Sequence, residues 1–358
     1  MEQASSPPAR DDASAEARDW LAALATDPAI HLHDIDIGTR TATLVRLDET
    51  ELRAATFLDH RALRADRRGL VLPIEAFIDA AEKVPAQPYD TIFHLAHCGS
   101  TLVSRLLGAL PNNLPKREPL AWLGCAVYAR RVERDITERA WGRLFSATSR
   151  TLARRFQPRD RVLLKSTSVG ANLIPWALGA EPSQRAICVT MTFESWLAKL
   201  LDDADARADV LGRSLNWLHD LRTTTRREDI APERLGELET LAACWLAPMR
   251  WFAGGVRLVP ERTRLVTTEA LLEHPTVGLA ALAAFLELGA SAEQIQAAVD
   301  GPLLKEYSKA PGSAYDAIAA ADELRASRER HRDEIAKARA FIDGFFPEPA
   351  IAEHLAPR

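Results

Sequence analysis

A chain of 358 residues that is 47% hydrophobic and 27% charged, with a net charge of −5, has the composition of an ordinary soluble globular protein. It is long enough for one large α/β domain with an addition, or for two domains. The slight acidic balance excludes the strong basic excess of a dedicated nucleic-acid binder, yet leaves room for local basic patches around an anionic ligand. The four cysteines, Cys98, Cys125, Cys188 and Cys244, are scattered without paired spacing, which fits free thiols in a reducing cytoplasm and no metal site.

Residues 1–14 are polar, with Pro7, Pro8 and mixed charges, and are expected to form a disordered tail, neither a signal peptide nor a membrane span. No stretch elsewhere is apolar for long enough to cross a bilayer. A first helix is expected over 15–25, and the alternation over 31–46 (HLHDIDIGTRTATLVR) predicts a hairpin turning near Gly38. Residues 57–58 and 70–74 read as further extended pieces, followed by a short helix over 74–83 that starts after Pro73. VPAQP at 84–88 reads as a linker, so residues 15–88 are taken as an accessory region. His31 and His33 share one strand face, but with no third ligand nearby a solvated face is the expectation and no metal is assigned.

From Tyr89 the rhythm changes to strand and helix. The stretch 89–107 reads YDTIFHLAHCGSTLVSRLL: an apolar strand over 91–95, a small-residue turn (HCGST), then helical spacing of Leu102, Leu106 and Leu107. Strand, turn and helix start together aim backbone N–H groups at an anion. Gly99 permits close approach, and Ser100 and Thr101 add hydroxyl donors. The G-x-x-x-x-G-K-[ST] pattern of ATPases is absent, and a tight βα connection without a ligand is the plain alternative.

Further along, KREPL at 116–120 follows a Pro-rich break. A long helix is expected over 137–156, with Trp141, Leu144, Phe145, Leu152 and Phe156 on its apolar side. RVLLK at 161–165 and RAICVT at 185–190 are buried-type strands, with a helix from about Phe193. Residues 202–230 are rich in charge; 123–133 and 202–230 are expected to supply variable loops around an acceptor. A helix over 232–252, a strand over 264–266 and a helix over 276–288 complete the pattern. The expected fold class is therefore α/β, a mostly parallel sheet flanked by helices over residues 89–358, with ligands at the carboxyl ends of the strands.

Several of these stretches line up with one family. HCGSTLVSRLL resembles the 5′-phosphosulfate loop of sulfotransferases that use 3′-phosphoadenosine 5′-phosphosulfate, and RVLLKSTS resembles the next strand-end motif, a lysine followed by Ser or Thr. LVTTEALLEHPTVGLAALAAFLEL is similar to the YEDL…DP…L…FLGL segment, with Glu269 and Pro275 on its acidic and proline positions, and YSKAP near Tyr307 looks like the C-terminal SK segment of bacterial members. The resemblance covers about residues 89–343 and implies a P-loop NTPase-like sulfotransferase fold, that co-substrate, and sulfuryl transfer to a hydroxyl or amine of a small molecule or glycan. It departs from the family at His97, where lysine or arginine is usual, and at Met191 and Lys199, where an arginine and a serine bind the 3′-phosphate.

Sulfuryl transfer loads negative charge on oxygens, so positioned donors and cations are needed, with a base for the acceptor. Cys98, Gly99, Ser100, Thr101 and Arg105 are the candidates around the phosphosulfate, and Lys199 and Lys309 the candidate cations for a 3′-phosphate. His97 is a candidate donor to the bridging oxygen, or a turn-stabilising histidine. Lys165 ends an apolar strand, where a cation without an anion is costly. Glu118, after the second strand, is the candidate base, with a salt bridge to Arg117 or Lys165 as the structural alternative. Glu269 is read as structural, at a helix start, and His94 as a strand residue. A nucleotide-dependent phosphotransferase and a non-catalytic anion-binding protein on the same fold remain as alternatives.

Overall fold

The computed structural model describes residues 10–62, 69–132, 135–306 and 316–345. Its strands form two sheets. β1 (Ile30–Asp36), β2 (Thr41–Arg46) and β3 (Leu70–Pro73) make an antiparallel sheet in that order. β4 (Tyr89–His94), β5 (Asn113–Arg117), β6 (Arg161–Lys165), β7 (Ala186–Thr190) and β8 (Thr263–Thr267) make a second sheet ordered β5-β6-β4-β7-β8, parallel at every pairing. Every residue of β4, β5 and β7 is buried, as expected of strands covered on both faces.

The strand order fixes where a ligand fits. From β4 the chain runs out to the edge strand β5, returns through β6, and crosses to the far side of β4 to form β7. The direction of winding reverses at β4, and in open parallel sheets the carboxyl ends of the strands at such a reversal are where ligands bind. The HCGST turn occupies that point.

Several elements differ from expectation. The first helix is Arg10–Ala23, so it takes in the end of the expected tail, whose residues 1–9 lie outside the described residues. Residues 57–58 are not a strand; instead the Leu58 amide donates to the Arg117 carbonyl at 2.7 Å, and the Leu58 carbonyl accepts from Leu120 at 3.2 Å. The two stretches expected as loops are largely helical, as Leu120–Ala129 and Ala204–Thr225. In the latter, buried Ala206, Val210, Trp217, Leu218 and Leu221 fall on one helical stripe, and Asp203 caps the start by accepting from the Ala206 amide. Surface charges hid that periodicity. The long helix expected to reach Phe156 ends at Leu152.

His31 and His33 are both buried, contrary to the solvated face expected. A register shift between Leu32 and Asp34 makes a bulge at His33, and the four successive residues Ile30, His31, Leu32 and His33 are all buried. Burial holds both imidazoles below the ordinary histidine pKa. No group of three potential ligands arranged for a metal ion occurs among the described residues.

The N-terminal region is fastened to the parallel sheet by two arginines, the buried Arg154 and the half-buried Arg53. Arg154 donates to the carbonyls of Leu24, Asp27 and Ile30, and Arg53 reaches the Asn113 carbonyl and the Asp160 carboxylate, each at 2.7 Å. One continuous apolar core runs through both. All four cysteines are buried free thiols, and no helix among the described residues is long and apolar enough to cross a membrane.

Candidate active site

β4 delivers the chain into the turn, and the helix Ser100–Gly108 leaves it. Gly99 has φ 84°, and a Cβ there would stand 2.8 Å from Thr268 Cγ2, so both conformation and space require glycine. The Thr268 hydroxyl donates to the Cys98 carbonyl and holds the turn against the end of β8. The helix's first internal bonds run from Leu102 and Val103 to the Gly99 carbonyl. The amides of Ser100 and Thr101 therefore precede the ladder, at the positive end of the helix. Both of these residues are buried. The Cys98 side chain faces the core, with its thiol on the Val189 carbonyl at 3.4 Å and its pKa pushed up to about 11 by burial. Any contact of Cys98 with a ligand would therefore come from its backbone.

Beside this turn, the ends of β5 and β6 bring Glu118 and Lys165 together. Lys165 is 1% exposed and ion-paired with Glu118. Of Arg117 and Lys165, it is Lys165 that pairs with Glu118. Arg117 turns instead to Ser104 Oγ and to the carbonyls of Arg53 and Ala55. Glu118 holds φ 50°, a conformation uncommon for a side-chain-bearing residue and frequent at functional sites. Its amide donates to the Lys165 carbonyl at 2.7 Å, which pins that geometry.

His94 joins the pair. Its Nε2 lies 2.8 Å from the Ser166 carbonyl, 3.1 Å from Lys165 Nζ and 3.8 Å from Glu118 Oε1, while Nδ1 faces the Leu95 carbonyl at 3.0 Å. Desolvation first, and Lys165 second, lower its pKa to about 4, so the ring is neutral at pH 7. The sequence signal for His94 was present, a polar residue ending a fully buried strand, but gave no partner. Two hydroxyls of the loop after β6, Ser166 Oγ and Thr167 Oγ1, are buried with no hydrogen-bond partner among the described residues. The Phe57 ring lies 5.9 Å from Lys165 Nζ and 3.9 Å from the Arg61 guanidinium, so the N-terminal region reaches this edge too.

The remaining candidates spread around this centre. His97, at φ 56°, places Nε2 3.0 Å from Asp209 Oδ2, and its carbonyl accepts from Lys199 Nζ at 3.0 Å. Lys199 thus touches the turn from the exposed face of the helix Phe193–Asp202. Met191 is buried, and its carbonyl accepts from the Trp245 indole. Arg105 stands in the last turn of its helix, beside Arg117 and away from the amides at the helix start. Glu269 accepts from the amide and hydroxyl of Thr192, the residue just before the helix Phe193–Asp202, each at 3.0 Å. Lys309 and the YSKAP motif lie outside the described residues.

No family model matches the chain, and no curated protein matches it. Among solved structures it is similar to the sulfotransferase domain from the curacin biosynthetic pathway, at 10% identity and a TM-score of 0.36, over 62% of this chain and 82% of that one. The likeness is remote, and the functional reading rests on the residues themselves.

Proposed function

We propose that the chain is a sulfotransferase that moves a sulfuryl group from 3′-phosphoadenosine 5′-phosphosulfate to a hydroxyl or amine of a small molecule or glycan. In this reading residues 89–358 carry the chemistry on a P-loop-like sulfotransferase fold, and residues 15–88 support it. The buried free thiols favour a cytoplasmic setting. The observation that carries the reading is the Lys165–Glu118 pair, set at neighbouring strand ends beside the turn at the sheet's switch point. A cation, a carboxylate and a helix start together are what transfer of an anionic group requires. The order of the motifs HCGST, KSTS and TTEALLEHP along the sequence supports the sulfuryl donor in particular.

The roles follow from position. Backbone amides of the turn and the hydroxyls of Ser100 and Thr101 hold the 5′-phosphosulfate. Lys165 divides its hydrogens between Glu118 and the transferring oxygens, which releases the carboxylate to act as base. The acceptor oxygen or nitrogen bonds to sulfur as the bond from sulfur to the bridging oxygen breaks. Glu118 takes the acceptor's proton, and 3′,5′-adenosine bisphosphate leaves. His97, with Nε2–H held by Asp209, donates to the bridging oxygen from Nδ1 when the ring carries a second proton, and Lys199 and Lys309 serve the 3′-phosphate.

Titration with 3′,5′-adenosine bisphosphate, 5′-AMP and Mg-ATP tests the donor. The bisphosphate is expected to bind more tightly than 5′-AMP by about 1–3 kcal/mol, the worth of one charged contact. Equal affinity, or a clear preference for Mg-ATP, would transfer the site to a phosphotransferase or a non-catalytic binding protein.

A further inference from the structure

The His97 side chain is tied to a helix that the sequence reads as a loop. A non-glycine residue in the left-handed region costs on the order of 1 kcal/mol or more and persists where its surroundings hold it. At His97 the hold comes from two helices. Lys199 on Phe193–Asp202 binds the carbonyl, and Asp209 on Ala204–Thr225 binds Nε2. Arg213, one turn on, secures the other Asp209 oxygen at 2.7 Å, and its Nη1 reaches Ser168 Oγ, in the loop after β6, at 3.5 Å. A polar chain thus crosses from the turn after β4 to the loop after β6. The far half of the same helix is anchored by the buried pair Arg130–Asp220, at 2.6 Å, whose arginine also donates to the Val169 carbonyl.

We propose that Asp209 is a positioning residue for His97, fixing the ring's orientation and tautomer in the turn, with Arg213 aligning the carboxylate. What His97 then acts on rests on the sulfuryl-transfer reading. A carboxylate only accepts, so Nε2 carries the hydrogen, and the ring is held in one orientation beside the amides of the turn. Nucleophile or acid, partner, and a third group that orients the partner is a recurrent arrangement of active sites. Stability does not account for it: Asp209 and Arg213 are 37% and 46% exposed, and surface pairs of that kind contribute little to folding.

The test is Asp209→Asn, read two ways. In 15N spectra of the histidine-labelled protein, the ring signals of His97, assigned with His97→Ala, are expected to move toward a mixed tautomer. Turnover is expected to fall about 10–100-fold, as for a slightly misplaced group, with the donor KM within about twofold. Asp209→Glu should restore part of the rate, and Asp209→Asn should change nothing further in the His97→Ala background. Unmoved His97 ring signals would overturn the proposal. So would an unchanged rate per folded molecule together with a lowered melting temperature. If the wild type transfers no sulfuryl group to any acceptor, the functional reading fails, while the ring spectrum still decides what Asp209 does.

Discussion

Two lysines on neighbouring strands, each 1% exposed, end in different surroundings. β5 and β6 pair so that Arg117 faces Lys165 and Lys116 faces Leu164. Side chains alternate along a strand, so Lys116 and Lys165 leave on opposite faces of the sheet. Lys116 donates to the carbonyls of Leu152 and Arg154, at 2.8 and 2.9 Å, where the helix Glu138–Leu152 ends. Burial, then Arg154, hold its pKa well below the usual lysine value. Lys165 meets side chains instead, Glu118 and His94, at the carboxyl end of its strand. Burial of a cation alone therefore does not mark a site. A main-chain cap satisfies Lys116 and leaves no group for a ligand to exchange with, whereas an ion pair to a movable carboxylate can be redistributed when an anion arrives.

The sharpest way to break this contrast is Glu118→Gln, which keeps shape and removes the proton acceptor. Sulfuryl transfer is expected to fall about 10²–10⁴-fold with donor binding nearly preserved. A normal rate per folded molecule with lowered stability would make Lys165 a structural lysine of the same kind as Lys116.

His94 supplies the next largest effect, and it depends on pH. Its folded pKa of about 4 lies below the unfolded value near 6.5, so between them the unfolded chain binds more protons. Stability therefore rises with pH through that window and is lost as pH falls from about 6.5 toward 4, by roughly 3 kcal/mol in full. Urea unfolding at a series of pH values should show that increment in the wild type and its absence in His94→Gln. A parallel pH dependence in the two proteins would mean that the ring is not held neutral beside Lys165.

How far the sequence reveals this depends on whether the determinants are local. The strands β4 and β6 and the glycine turn were legible because apolar runs, small residues and a terminal lysine are neighbours in sequence. Lys116 carries a similar local signature, and only its contacts with Leu152 and Arg154 separate it from Lys165. The Asp209 contact to His97 joins residues 112 apart, and no spacing rule reaches that far. Glu118 could be placed at a strand end, but its left-handed backbone is set by the bond to the Lys165 carbonyl. Ala204–Thr225 reads as a loop because charged residues dominate its exposed sides and only one stripe is buried. The buried histidines of β1 escaped because a bulge breaks the alternation on which the expected solvated face depends.

Replacing each lysine in turn tests the contrast directly. Lys165→Ala should weaken binding of 3′,5′-adenosine bisphosphate by about 1.5–3 kcal/mol, the range for a charge-assisted hydrogen bond. Lys116→Met should leave that affinity unchanged and lower folding stability by about 1–3 kcal/mol, because two buried carbonyls lose their donor. Calorimetric titration of both variants, beside their urea unfolding curves, distinguishes the two roles. Loss of affinity in Lys116→Met alone would reverse the assignment.

The smallest effect belongs to a third, exposed lysine. Lys199 donates to the His97 carbonyl and is the described candidate for a 3′-phosphate. These two uses make different demands on nucleotides. If Lys199 contacts the 3′-phosphate, Lys199→Ala should narrow the gap between 3′,5′-adenosine bisphosphate and 5′-AMP, by about 1 kcal/mol or less because solvent screens an exposed charge. The narrowing should shrink further as salt is raised from about 0.05 to 0.5 M, since the Debye length falls below the reach of an exposed pair. If Lys199 only tethers the turn, both nucleotides should weaken alike, because the 5′ group sits on the turn in each. A gap that stays open in Lys199→Ala leaves the 3′-phosphate to Lys309, and Lys309→Ala measured in the same titration should then close it. An open gap in both variants would remove lysine from the recognition of that phosphate.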